Sequence, residues 1–202
     1  QFCDTSGELC FAEKIAEFKD FTKENSKYIK DATGHGTHVC GIIAGSGKLS
    51  EKRYRGIAPG CHLCVAKILD KNGEGDVATL IKGMEWLLTI AQLHHIKVIN
   101  ISVSSLFFSK DKEKERLFFL FQKAYEREIL IVTAAGNSGP EGKSVSKLGD
   151  SPYVICVGCH EGTESERFDK KCQDCSGRGP GEFVYRKPDL VEPGTEIISC
   201  AG

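Results

Sequence analysis

The sequence contains no apolar run that approaches the ~20 residues a membrane-crossing helix needs, so no membrane span is expected. An excess of either charge is also missing, with 27 Lys and Arg against 28 Asp and Glu, a formal net charge of −1. That balance leaves no electrostatic footprint for nucleic acid or for an anionic membrane surface. No internal repeat or low-complexity stretch is present, and the charged run Lys110 to Arg116 reads as the solvated opening of a helix. There is neither a starting methionine nor a signal-peptide pattern, so any targeting segment is expected outside residues 1–202. The 202 residues are 40% hydrophobic, enough to bury one sizeable core, and a single domain over 1–202 is expected.

Strand and helix signals alternate along the chain. An apolar strand is expected at Leu63 to Leu69, after Ala58-Pro59-Gly60, then a helix from Asp76 to Leu88 with Val77, Leu80, Ile81, Met84 and Leu88 on one face. A strand at Val98 to Val103 precedes a helix at Lys112 to Glu128 with Leu117, Phe121 and Ala124 inward. Leu130 to Ala135 and Val154 to Gly158 supply further strands. Near-continuous apolar strands separated by amphipathic helices imply an α/β fold, a three-layer α/β/α arrangement around a mainly parallel sheet. In such sheets functional groups gather beyond the carboxyl ends of the strands, and Asp4, Ser104 and Asn137 all fall at or just past such ends.

The most informative run is Thr33-Gly34-His35-Gly36-Thr37-His38-Val39-Cys40-Gly41-Ile42. A histidine between two glycines, followed by Thr-His and an apolar stretch, predicts a tight loop that delivers an imidazole at the first turn of a helix. Val39, Ile42 and Ile43 recur behind it at helical spacing and read as the buried face. An imidazole so placed is held by the scaffold yet open to a cleft, as a general base must be. Read alone, the run also fits a glycine-rich turn whose histidine caps a helix.

The run resembles the histidine motif of the subtilisin-like serine proteases, and three further stretches match that family in order. Val98-Ile99-Asn100-Ile101-Ser102 resembles the strand bordering the substrate groove. Ile131-Val132-Thr133-Ala134-Ala135-Gly136-Asn137-Ser138-Gly139-Pro140 resembles the strand and turn carrying the oxyanion asparagine. Cys175 to Pro180, then Lys187 to Gly194, resemble the loop and strand that lead towards the nucleophile. The resemblance implies a subtilisin-like fold, incomplete at both ends in residues 1–202, and a Ser-His-Asp serine endopeptidase.

Within that resemblance His35 is the general base, Asp4 the triad aspartate and Asn137 the oxyanion donor, with His38 structural. Asp4 lies 31 positions before His35, against about 32 in subtilisin. The sequence departs from the family there, reading Asp4-Thr5-Ser6-Gly7 where Asp-Thr-Gly is usual, and it lacks the His-Pro that often follows. Asp20 and Asp31 read as turn acids. The nucleophile is expected about 66 positions after the asparagine by the subtilisin spacing, or further, which falls beyond Gly202. Ser199, in Ile198-Ser199-Cys200, reads as a strand residue instead.

For substrate binding, the resemblance implies that Ser102, Val103 and Ser104 pair with a peptide backbone as an added strand. Ala134, Ala135 and Gly136 would wall the pocket for the side chain before the scissile bond. Ser104 and Ser105 stand where the family commonly has glycine, so a narrowed groove is open and with it the peptide preference.

Ten cysteines include three pairs with the spacing of zinc ligands: Cys61 and Cys64, Cys156 and Cys159, Cys172 and Cys175. The first two pairs are expected in strands, where residues three apart point to opposite faces, so buried thiols are favoured over metal. Cys172 and Cys175 flank a loop and remain candidates for a disulfide or part of a metal site. No metal site is assigned. The chemistry needs no cofactor, and although the family often binds calcium, no cluster of carboxylates here forms a calcium loop. The partners implied are a peptide or protein substrate and, by family, an inhibitory prodomain. Localisation is left open, since unpaired thiols favour a reducing compartment while the family is often secreted. A non-catalytic protease-like peptide-binding module is the alternative to an enzyme, and a zinc-dependent binding domain the outsider. A Gly-Thr-Ser followed by small residues would mark the enzyme.

Overall fold

The computed structural model describes residues 14–103, 111–160, 174–182, 184 and 186–201. Asp4, Ser104, Ser105 and Cys172, all weighed above, lie outside the described residues. By internal contacts the chain falls into two compact units, one of Gln1–His94 with Ile198–Gly202 and one of His95–Ile197.

In the first unit β1 (Ile15–Asp20) runs parallel to β2 (Leu63–Lys67), with Phe18 opposite Val65 and Asp20 opposite Lys67. Helix α1 (His35–Ala44) and a 3₁₀ turn (Lys48–Ser50) lie between them in sequence. Helix α2 (Val77–Ile90) follows and packs against β2. Asp76, expected inside α2, is instead its N-cap, and its carboxylate accepts a 2.7 Å bond from the Thr79 N–H, satisfying a donor that the first turn leaves unpaired. The inward face is Val77, Leu80, Gly83, Met84 and Leu88, with Ile81 only half-buried.

The second unit holds a four-stranded parallel sheet in the order β3 (Val98–Ile101), β4 (Leu130–Ala134), β5 (Ile155–His160), β6 (Leu190–Pro193). Helix α3 (Asp111–Glu126) links β3 to β4 and packs on β4 through buried Leu117, Leu120, Phe121 and Ala124. The chain leaves α3 where Glu128 takes φ 56° and the Ile129 N–H closes on the Ala124 carbonyl. Ile99, Ile101, Ile131 and Cys156 join these side chains in the core. The register partners Val98 and Leu130 are 56% and 52% exposed, so burial alternates along the strands. The starts of β5 and β6 are tied by polar groups. The Lys187 ammonium, 2% exposed, donates to the Val154 carbonyl at 3.0 Å and to Asp189 at 2.7 Å, and Asp189 accepts from the Cys156 N–H.

Phe121 is fully buried, so Phe121→Ala is expected to cost about 3–5 kcal/mol through lost transfer energy plus a cavity. Phe119 is 45% exposed beneath Arg116 and Lys123, and Phe119→Ala should cost less than about 1 kcal/mol. Urea titration of the two variants checks both values.

Candidate active site

His35 is the first residue of α1 and is exposed. The residue before it, Gly34, has φ 75° and ψ −8°, a left-handed geometry that glycine adopts without the steric cost of a Cβ. The helix therefore begins without a side-chain cap at the usual position. The His38 N–H closes the first turn on the Gly34 carbonyl at 2.9 Å.

The Asp31 carboxylate does the capping from outside the helix. Its Oδ1 accepts from the Gly34 N–H at 3.1 Å and the Thr33 hydroxyl at 3.3 Å. Its Oδ2 accepts from the Thr37 N–H at 2.7 Å and the Thr37 hydroxyl at 2.8 Å. Burial pushes the Asp31 pKa up, but the bonds from Thr37, Thr33 and Gly34 outweigh it, and the net shift is downward from the ordinary 3.8. Asp20, at the carboxyl end of β1, behaves alike. Burial raises it, while donors from Thr22 and Ser26 and the Lys67 ammonium bring its pKa below 3.8. Asp20 and Asp31 are both turn acids, as their sequence settings predict.

The helix behind His35 buries a different face from the one expected. Gly41 and Ala44 are its buried residues, whereas Val39 and Ile43 are half-buried and Ile42 is 37% exposed. The reason is close approach, because Ser199 and Cys200 lie against Gly41 and leave no room for a Cβ there. Ser199 is not in a strand. Its hydroxyl donates to the His38 carbonyl at 2.8 Å, which ties the 198–201 segment to α1.

In the second unit the described ones among the expected binding residues, Ser102, Val103, Ala134, Ala135 and Gly136, lie at or just past the carboxyl ends of neighbouring strands. The β3–β4 ladder closes with Ile101 opposite Thr133. Ser102 and Val103 continue past it, half-buried, with Ser102 Oγ accepting from the Asn100 amide at 2.9 Å. Among the described residues β3 is an outer strand of its sheet, the kind of edge that accepts an added strand. On β4, Ala134 and Gly136 are half-buried and Ala135 is buried. Their carbonyls are occupied: Ala134 by the Ser146 hydroxyl, Ala135 by the Ser146 N–H, Gly136 by the Gly177 N–H. Gly136 turns the chain at φ 96°, and the Gly139 N–H bonds to the Cys175 carbonyl, so exposed Asn137 stands on a turn pinned from both ends. Ser146 is not singled out from sequence, and the 175–177 segment reads there only as part of a loop leading towards the nucleophile, not as a brace of this turn.

Cys156 and Cys159 lie in β5, one buried and one half-buried, as the strand alternation predicts. Cys61 departs from expectation. The Cys61 N–H closes a turn on the Ala58 carbonyl, and β2 begins only at Leu63, so Cys64 alone of that pair is in a strand. Cys40, Cys61, Cys64, Cys156 and Cys200 are free thiols. Burial raises Cys40 to about 11 and Cys156 to about 12. Among the described residues no three His, Cys, Asp or Glu side chains gather to hold a metal ion.

Parallel sheets with helical crossovers, carrying these groups beyond the strand ends, define a subtilisin-like three-layer α/β/α protein. The solved structure of Sphericase matches with a TM-score of 0.78 and 25% identity over 95% of this chain and 63% of its own. The model of the subtilase family matches residues 7–201, and the chain belongs to that family. Serine protease AprX of Bacillus subtilis (strain 168) is 34% identical over 191 residues, 92% of this chain and 43% of that protein. Minor extracellular protease Epr of the same strain is 38% identical over 170 residues, 84% of this chain and 23% of Epr. The chain thus spans less than half the length of these two relatives.

Two outcomes are expected from the titrating groups. Depressed carboxylates stabilise above their unfolded value and lose that contribution as pH falls through their folded value. The share from Asp20 and Asp31 should therefore be complete above pH 3.8 and disappear below it. Thermal melting followed by circular dichroism should show Asp20→Asn flattening the acid decline. In native protein at about pH 8, Cys40 and Cys156 should resist iodoacetamide, which attacks as the thiolate forms, and react fully once unfolded, as peptide mass spectrometry would report.

Proposed function

We propose that the chain is the histidine- and oxyanion-bearing part of a serine endopeptidase that cleaves peptide bonds through an acyl-enzyme. The observation that carries this reading is His35, exposed at the first turn of α1 behind left-handed Gly34, in a chain that belongs to the subtilase family. His35 takes the proton as the serine oxygen attacks the scissile carbonyl and returns it to the leaving amine as the C–N bond breaks. Asp4 holds the imidazole tautomer and stabilises the imidazolium. Asn137 donates its side-chain amide to the oxygen that becomes an oxyanion in the tetrahedral intermediate. Water then repeats the sequence on the acyl-enzyme, with His35 as base again. The substrate lies as an extended peptide beside Ser102, Val103 and Ser104, with Ala134, Ala135 and Gly136 at the wall of the adjacent pocket. The Ser199 hydroxyl is committed to the His38 carbonyl, so the nucleophile is a different serine, supplied beyond Gly202, and residues 1–202 by themselves do not turn over substrate.

A fluorophosphonate probe should leave Ser199 unlabelled in the 202-residue chain and label a serine of the longer protein. In that protein His35→Ala should remove most of the rate on a peptide anilide. Asp4→Asn should cost up to about 10⁴-fold while keeping the fold. Asn137→Ala should lower kcat about 10²- to 10³-fold, the loss known for subtilisin, with little change in KM, because the oxyanion is absent from the ground state. Peptide binding without hydrolysis would instead make the protein a binding module.

A further inference from the structure

The bonds to Asp31 lie on both sides of His35. Gly34 and Thr33 precede the histidine and donate to one carboxylate oxygen, while the N–H and hydroxyl of Thr37, two residues after it, donate to the other. Gly36, between His35 and Thr37, passes so near that a Cβ there would lie 3.4 Å from Asp31 Oδ2. One anion thus holds the backbone one residue before and two residues after the imidazole-bearing residue. It replaces the cap that Gly34 cannot supply, and a negative charge is favoured at the amino end of a helix.

We propose that Asp31 is the positioning residue for His35. Its carboxylate fixes the two flanks of that residue and so sets where the imidazole projects, without touching the reacting atoms. A neutral amide in its place keeps one acceptor and turns an N–H₂ towards groups that are themselves donors, so the bracket loses one side. The kinetic consequence rests on the endopeptidase reading; the placement of the ring does not.

Asp20 supplies the matched control. Its carboxylate is buried in the same unit and accepts a comparable set of bonds, from Thr22, Ser26 and Lys67, none of them beside His35. In the full-length protein, well below every variant's melting temperature, Asp31→Asn should lower kcat on a peptide anilide about 10- to 100-fold, the scale of a small misplacement of a reacting group. KM should stay within about twofold, and Asp20→Asn should leave both constants within about twofold. Asp31→Glu, which keeps both acceptors, should recover part of the lost kcat. The His35 ring resonance in a ¹H–¹³C spectrum should move or broaden in Asp31→Asn and stay in place in Asp20→Asn. Should Asp31→Asn not fold, Thr37→Val removes only the hydroxyl donor and should move the same resonance by a smaller amount. Equal losses in Asp31→Asn and Asp20→Asn, or an unmoved His35 resonance, overturn the proposal. A parent protein that hydrolyses no peptide overturns the endopeptidase reading alone, and the resonance then decides for Asp31.

Discussion

β4 is hydrogen-bonded along both edges, to β3 through Leu130–Thr133 and to β5 through Val132–Ala134. What the second unit presents beyond its strand ends depends on that double pairing. The ladder continues one residue past the strand, where the Ala135 N–H reaches the Val157 carbonyl. Only then does Gly136 turn the chain, so the position of Asn137 is inherited from a rigid strand and not from a free loop. The 175–177 segment completes the support by bonding to Gly136 and Gly139. The oxyanion role proposed for Asn137 calls for such rigidity, because a donor that meets a short-lived charge must be preorganised.

In the first unit, carboxylates hold the turns. Asp20, Asp31, Asp70 and Asp76 each accept backbone N–H groups of the turn that follows them. All four have pKa values below the ordinary one, and for Asp20 and Asp31 this holds despite burial. Each clamp serves one turn. The clamp at Asp31 is distinct in what it encloses, because its turn contains the histidine.

Much of this was readable from residue order. The Gly-His-Gly run identifies the start of α1 because left-handed backbone and a helix entry both leave local signals. The apolar faces of α2 and α3 follow their period almost residue for residue, although Asp76, read as the first residue of the helix, proves to be its cap. β1 was not found, since its pairing slips between Ile15 and Glu17 and Ala16 interrupts the alternation. The buried face of α1 was misread because small residues, not large ones, mark it. Gly41 is inward on account of Ser199 and Cys200, which are far away in sequence. The role of Asp31 was visible only as that of a turn acid, for the sequence does not show that its two oxygens divide between the two sides of His35.

The bond from Ser199 to the His38 carbonyl joins residues 161 positions apart, while the unit of His95–Ile197 lies wholly within that interval. Local contacts form early and long loops close late, because the entropy of closure precedes any reward from the contact. During synthesis from the amino end, Asp31 and the residues of α1 are made long before the 198–201 segment. The packing against Gly41 therefore cannot form until the unit of His95–Ile197 has been made, and the imidazole-bearing helix gains that support only after the intervening sheet has been translated.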